Sequence, residues 1–205
     1  MRPGSELVSV SDDRLVRDAL AGQQDAYAGL LQRYERPVFN VIARLVHDPG
    51  VAEELAQETF LKAFRRLDTF DQRRGFSPWL LRIAHNTAID ALRRRGPQTL
   101  DIDAGPGGDA RVVASSDPGP DRQTEHRLAV RDLVAALVRL RPEHRLALVL
   151  RFQEAQSYKQ IAYVMGVSEG TAKSYVHRAR GRLADEMRTA GWGGATNRPG
   201  SRSTE

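Results

Sequence analysis

The sequence predicts an all-α protein made of two small helical domains joined by a flexible linker, and three observations carry that prediction. Apolar residues recur at helical spacing in two long blocks. Neither block contains the apolar–polar alternation of a half-buried strand. Between them lies GPQTLDIDAGPGGDARVVASSDPGPDRQT, Gly96–Thr124, a stretch rich in Gly, Pro, Asp and Ser that cannot bury enough apolar surface to offset its ordering entropy. The expected divisions are 1–24, an N-terminal segment with a short helix; 25–95, the first domain; 96–124, an acidic linker; 125–187, the second domain; and 188–205, a disordered tail.

The elements follow in order. Ser11-Asp12-Asp13 gives an acidic start to a short helix with Leu15, Val16, Ala19 and Leu20 inward. A longer helix carries Ala26, Tyr27, Leu30, Leu31, Tyr34, Val38, Phe39, Ile42, Leu45 and Val46, with a bend expected at Pro37. HDPG is a turn, after which VAEELAQETFLKAFRRL sets Val51, Leu55, Phe60, Ala63, Phe64 and Leu67 on one side and Glu53, Glu54, Gln57 and Glu58 elsewhere. Acids in a first turn also suit the helix dipole. The loop DTFDQRRGF leads into a helix for which Ser77 is the expected N-cap, Pro78 the first helical residue and Gly96-Pro97 the stop. In that helix Trp79, Leu80, Ile83, Ala84, Ala88, Ala91 and Leu92 form an apolar stripe, while Arg82, His85, Asn86, Arg93, Arg94 and Arg95 leave a second face of hydrogen-bond donors. Trp79 reads as core, and Asp90 as a local partner of Arg94 at i+4.

The second block opens near Glu125 with a helix through Leu128, Leu133, Val134, Leu137 and Leu140. Arg141-Pro142-Glu143 starts another through Leu146, Leu148, Val149 and Phe152. SYKQIAYVMGVSEGTAKSYVHRARGRL then has the pattern of a helix-turn-helix. Ser157 caps the first helix, Ile161, Ala162 and Met165 face inward, Gly166 makes a left-handed turn, Val167 plugs the corner and Ser168 caps the second helix. Ala172, Tyr175 and Val176 pack back. Glu169, Gly170, Thr171, Lys173, Ser174, His177 and Arg178 face outward, with Arg180 and Arg182 beyond, the ordering expected of a helix that enters a major groove.

Composition narrows the function. Of 205 residues 40% are hydrophobic, so the chain folds, and 31 Lys and Arg against 26 Asp and Glu give a net charge of +5 that favours a polyanionic partner where the excess is local. The absence of cysteine removes disulfides, thiolate metal sites and cysteine nucleophiles. The five histidines have no metal-ligand spacing, and there is no GxSxG or P-loop, so neither an enzyme nor a cofactor or metal is expected. With no apolar leader and no run of about 20 apolar residues, the expectation is a cytoplasmic protein without membrane attachment.

With both motifs in view, the chain resembles the sigma factors of bacterial RNA polymerase, and within them the extracytoplasmic-function (ECF) group that keeps regions 2 and 4. The matching segments are DAYAGLLQRYERPVFNVIARLVHDPGVAEELAQETFLKAFRRLDTF, FSPWLLRIAHNTAIDALRRR and LRPEHRLALVLRFQEAQSYKQIAYVMGVSEGTAKSYVHRARGRL. The resemblance implies a transcription initiation factor that binds core polymerase through its largest-subunit coiled-coil and its flap. Glu54, Gln57 and Glu58 would meet the coiled-coil; Arg82, Asn86, Arg93, Arg94 and Arg95 would hold the melted minus-ten element; Thr171, Lys173, Ser174, His177, Arg178 and Arg180 would read duplex minus-thirty-five DNA. It also implies an anti-sigma factor as a partner. The linker acids Asp101, Asp103, Asp109, Asp117 and Asp121 would thread toward the polymerase cleft, or the segment would serve only as a tether. The rival reading is a stand-alone helix-turn-helix regulator, which leaves the first block without a task.

Overall fold

A computed structural model describes residues 10–46, 48–95 and 120–192. Among these residues the chain is helical with no strand: α1 is Asp12–Leu20, α2 Gln24–Ala43, α3 Pro49–Arg65, α4 Phe76–Arg95, α5 Pro120–Val138, α6 Pro142–Phe152, α7 Tyr158–Met165 and α8 Glu169–Thr189. Two 3-10 turns, Leu67–Thr69 and Gln72–Arg74, connect α3 to α4.

Local chemistry sets the helix ends. Ser11 caps α1, and Asp48 caps α3 by accepting from the backbone N–H of Gly50 and Val51 at 2.8 and 3.2 Å. Because α3 starts at Pro49, Glu53 and Glu54 fall in its second turn and its first turn carries no acid; helix-dipole compensation does not account for them. Ser77 is not the N-cap of α4. The helix starts at Phe76, directly after Gly75, whose φ of 76° is a left-handed conformation that a side chain would strain. Phe76 is drawn in because its ring packs among Tyr34, Phe70 and Trp79, with centroids 5.2 to 5.5 Å apart. Trp79 is buried, as expected of a core aromatic.

The first unit is α1 to α4, with α2 packed on α1, α3 and α4. Leu30, Val38, Val41, Ile42, Leu80, Leu81, Ala84 and Ala88 are fully buried in its core. The Tyr34 hydroxyl donates to Asp12, which also pairs with Arg33, so α2 holds the start of α1; burial and the Asp12 carboxylate raise the Tyr34 pKa. Leu20 and Leu31, expected inward, are half-exposed at the outer edge of this bundle. No ion pair joins Asp90 to Arg94 among the described residues; both are exposed and solvated.

In the second unit α8 packs on α5, α6 and α7. α5 begins at Pro120 rather than near Glu125. Arg145, only 7% exposed, is tolerated inside because its guanidinium donates to the Val138 and Leu140 carbonyls where α5 ends, at 2.7 and 3.2 Å. Phe152, expected inward, is 61% exposed at the last residue of α6. Ordered structure continues past the expected start of the tail at 188: α8 runs to Thr189, and the Trp192 indole N–H donates to Asp132 of α5 at 2.9 Å. That bond, followed by the neighbouring Arg131, holds the Asp132 carboxyl below its usual range. Most of the 96–124 linker, and the tail beyond Trp192, lie outside the described residues.

The two units are not apart. α4 packs on α7, α2 meets α6, and the buried side chains of both halves join in one continuous core cluster.

Candidate nucleic-acid interfaces

The helix-turn-helix is built by its caps. The Ser157 hydroxyl accepts from the Gln160 backbone N–H while the Gln160 side chain accepts from the Ser157 N–H, a reciprocal capping box. Gly166 ends α7 with φ 67° and ψ 33°, and the Val167 N–H returns to the Ala162 carbonyl at 3.0 Å. Ser168 caps α8 through the Thr171 N–H at 3.0 Å. These ends fix the angle between α7 and α8, and α8 then buries Ala172, Val176 and Ala179 at helical spacing.

That burial decides which α8 side chains face out. Lys173, His177, Arg178 and Arg180 are exposed, and Ser174 and Thr171 are partly exposed. Thr171 shares its hydroxyl with Ser168 at 2.8 Å, which leaves it close to the helix end. Lys173 pairs with Glu169 at 3.1 Å and lies 5.8 Å from the Tyr158 ring centre, and Arg180 lies 6.0 Å from that of Phe152. The expected duplex-reading residues therefore share one exposed basic face. Tyr158, beside Lys173, was not singled out by sequence reasoning, and Phe152, beside Arg180, was expected inward.

On α4, Arg82, Asn86 and Arg93 fall on one stripe at i, i+4 and i+11, while Arg94 lies about 100° round the helix. Asn86 is exposed and its side-chain oxygen lies 3.4 Å from His85 Nδ1; burial lowers the His85 pKa, which keeps the imidazole neutral. Arg93 and Arg94 are exposed, and the side chain of Arg95 lies outside the described residues. Arg82 is different: its guanidinium donates to the Tyr163 carbonyl of α7 at 3.0 Å and covers the Tyr163 ring at 4.5 Å. Arg73 and Arg74, in the turn before α4, extend the basic surface; they lie in the loop 68–76, which the family resemblance expects to take part with α4 in capturing the minus-ten strand, although neither was named individually.

A third surface lies on α3. Glu54 and Gln57 are exposed, and Glu58 is half-exposed and paired with Lys62 at 2.8 Å. Among them Leu61 is 58% exposed, at i+7 from Glu54 and so on the same face. Sequence reasoning missed Leu61; an apolar residue at i+3 from Glu58 and outside the buried set was the available signal.

Comparison with known proteins matches both halves. The profile described as Sigma-70 region 2 fits residues 30–98, and that described as Sigma-70, region 4 fits 131–183. The RNA polymerase sigma-H factor of Pseudomonas aeruginosa is 36% identical over 85% of this chain and 92% of its own length. The ECF sigma factor SigE of Mycolicibacterium smegmatis is also 36% identical, over 89% of this chain and 72% of its own length. The chain belongs to the ECF group of the sigma-70 family. A solved structure of the sigma factor RpoE with the anti-sigma factor NepR from Bartonella quintana has a TM-score of 0.59 at 26% identity, covering 79% of this chain and 96% of that one. The match of sigma factors across the first block as well as the second excludes the stand-alone regulator. This chain is a transcription initiation factor, and its family is non-enzymatic. No helix among the described residues is long and apolar enough to cross a membrane.

Proposed function

We propose that this ECF sigma factor divides promoter recognition among its three surfaces. The α3 face of Glu54, Gln57, Glu58 and Leu61 docks on the coiled-coil of core polymerase, an apolar contact within an acidic surround that suits a basic partner. The α4 stripe of Arg82, Asn86 and Arg93, with Arg94, Arg95 and the preceding turn, holds the unpaired minus-ten strand, cations on phosphates and the amide on a base edge. The outer face of α8 reads duplex minus-thirty-five DNA through Thr171, Lys173, Ser174, His177, Arg178 and Arg180. The observation that carries the reading is the placement of Lys173, His177, Arg178 and Arg180 on the one face of a capped recognition helix that burial leaves open. An anti-sigma factor, as accompanies the RpoE neighbour, is the expected antagonist.

Run-off transcription with core polymerase on a promoter library tests this. Wild type gives start-site-specific RNA. Asn86→Ala relaxes base preference in the melted element, by about the 1–3 kcal/mol of one good base contact, and Lys173→Ala weakens dependence on the distal duplex element. Unchanged selectivity in both variants would remove these residues from the recognition surfaces.

A further inference from the structure

The α4 surface assigned to unpaired DNA is occupied at its Arg82 end, and the occupant belongs to the same chain. Tyr163, on the first helix of the helix-turn-helix, sits between two guanidinium groups of the minus-ten unit, with Arg82 4.5 Å and Arg74 5.0 Å from its ring centre. Arg82 also donates to the Tyr163 carbonyl. Beside this clasp, the turn before α7 joins the halves by two further polar bonds. Gln156 donates to Ser77 at 3.0 Å, and Asn40 donates to Glu154 at 3.0 Å. The turn that delivers Glu154 and Gln156 holds Ala155 at φ 52°, a left-handed conformation uncommon for a residue with a side chain.

We propose that this is a self-blocked state, in which α7 covers the Arg74–Arg82 end of the single-strand surface, leaving Asn86, Arg93 and Arg94 open, and Tyr163 takes the place that an unstacked base would occupy against Arg74 and Arg82. The inference rests on the function proposed above. A guanidinium stacks on a tyrosine ring or on a nucleobase by the same cation–π chemistry, so Arg82 cannot serve both at once. Geometry requires the state to open. Elements centred about 25 base pairs apart lie roughly 85 Å apart along a duplex at about 3.4 Å per pair. With α4 packed on α7, and α7 on α8, the two reading helices lie within two helix-packing distances, about 20 Å. A chain of about 24 residues between Arg95 and Pro120 reaches up to about 80 Å when extended, enough for the halves to part. Core polymerase, by holding the units separately, would expose the α4 surface only where it is to be used.

The test measures the affinity of the free full-length chain for a fluorescently labelled single-stranded minus-ten oligonucleotide, beside run-off transcription with core polymerase. Tyr163→Ala should bind the oligonucleotide roughly tenfold more tightly than wild type, and Tyr163→Phe, which keeps the ring, should match wild type. Glu154→Lys places a cation near Arg36 at the other side of the seam, away from Tyr163, and should also tighten binding, which separates opening from any loss of folding in the alanine variant. Run-off transcription by both opening variants should equal wild type. If both bind no better than wild type while run-off is intact, the self-blocked state is refuted and the proposed function stands. If wild type gives no specific run-off product, the proposed function fails and this inference fails with it.

Discussion

Leu61→Asp lowers the affinity for core polymerase by about 30-fold or more, the scale of a central interface residue worth about 2 kcal/mol, while the thermal midpoint of the free protein stays unchanged. The expectation follows from position. Leu61 is 58% exposed, so its removal leaves no cavity, and a surface substitution away from caps and buried networks alters stability by no more than about 0.5 kcal/mol. It lies amid Glu54, Gln57 and Glu58, which a basic partner would approach first. Aspartate there keeps the acidic character but removes the apolar contact, so the loss appears chiefly in dissociation rate. Affinity titrations of labelled variant against core polymerase check this, and an unchanged affinity would remove α3 from the polymerase interface.

Phe76→Ala has the largest effect expected on the fold. The ring is 1% exposed and meets Tyr34 of α2, Phe70 of the connecting loop and Trp79 one turn along α4. Truncating such a ring costs about 3–5 kcal/mol, lowering Tm by roughly 10 °C or more in a protein of this size. Because Phe76 and Phe70 anchor the turn that carries Arg73 and Arg74, capture of single-stranded DNA fails before duplex reading by α8 does. Thermal unfolding followed by circular dichroism gives the first effect. Polymerase-bound complexes on pre-melted and duplex templates, at a temperature where the variant is folded, give the second. A Tm within a few degrees of wild type would show that the cluster does not organise this end of α4.

What was legible in the sequence is what local chemistry decides. Ser157, Gly166 and Ser168 specify the helix-turn-helix because caps and a left-handed turn depend on neighbours three or four residues away. Ser77 misled because Ser-Pro is a strong local start signal, whereas Gly75 and a long-range aromatic cluster move the start of α4 two residues earlier and leave the Ser77 hydroxyl to accept from Gln156. Apolar periodicity finds a helix face but not where that face reaches the edge of its bundle, which is why Leu31 and Phe152 are exposed. Arg145 reads as a surface charge until the two carbonyls that hold it are known. The division into two units with a linker is plain in composition. That α4 meets α7 is not, because the Arg82 bond to Tyr163 joins positions 81 residues apart and no local pattern encodes it.

The central claim is that one unit grips unpaired bases while the other docks on intact duplex. The most direct measurement places a photo-crosslinking amino acid at position 86 or 177 and maps the DNA captured in an open complex with core polymerase. The account predicts that position 86 crosslinks to the melted strand of the minus-ten element and position 177 to the minus-thirty-five duplex. Crosslinks from both positions to the same duplex segment would contradict it.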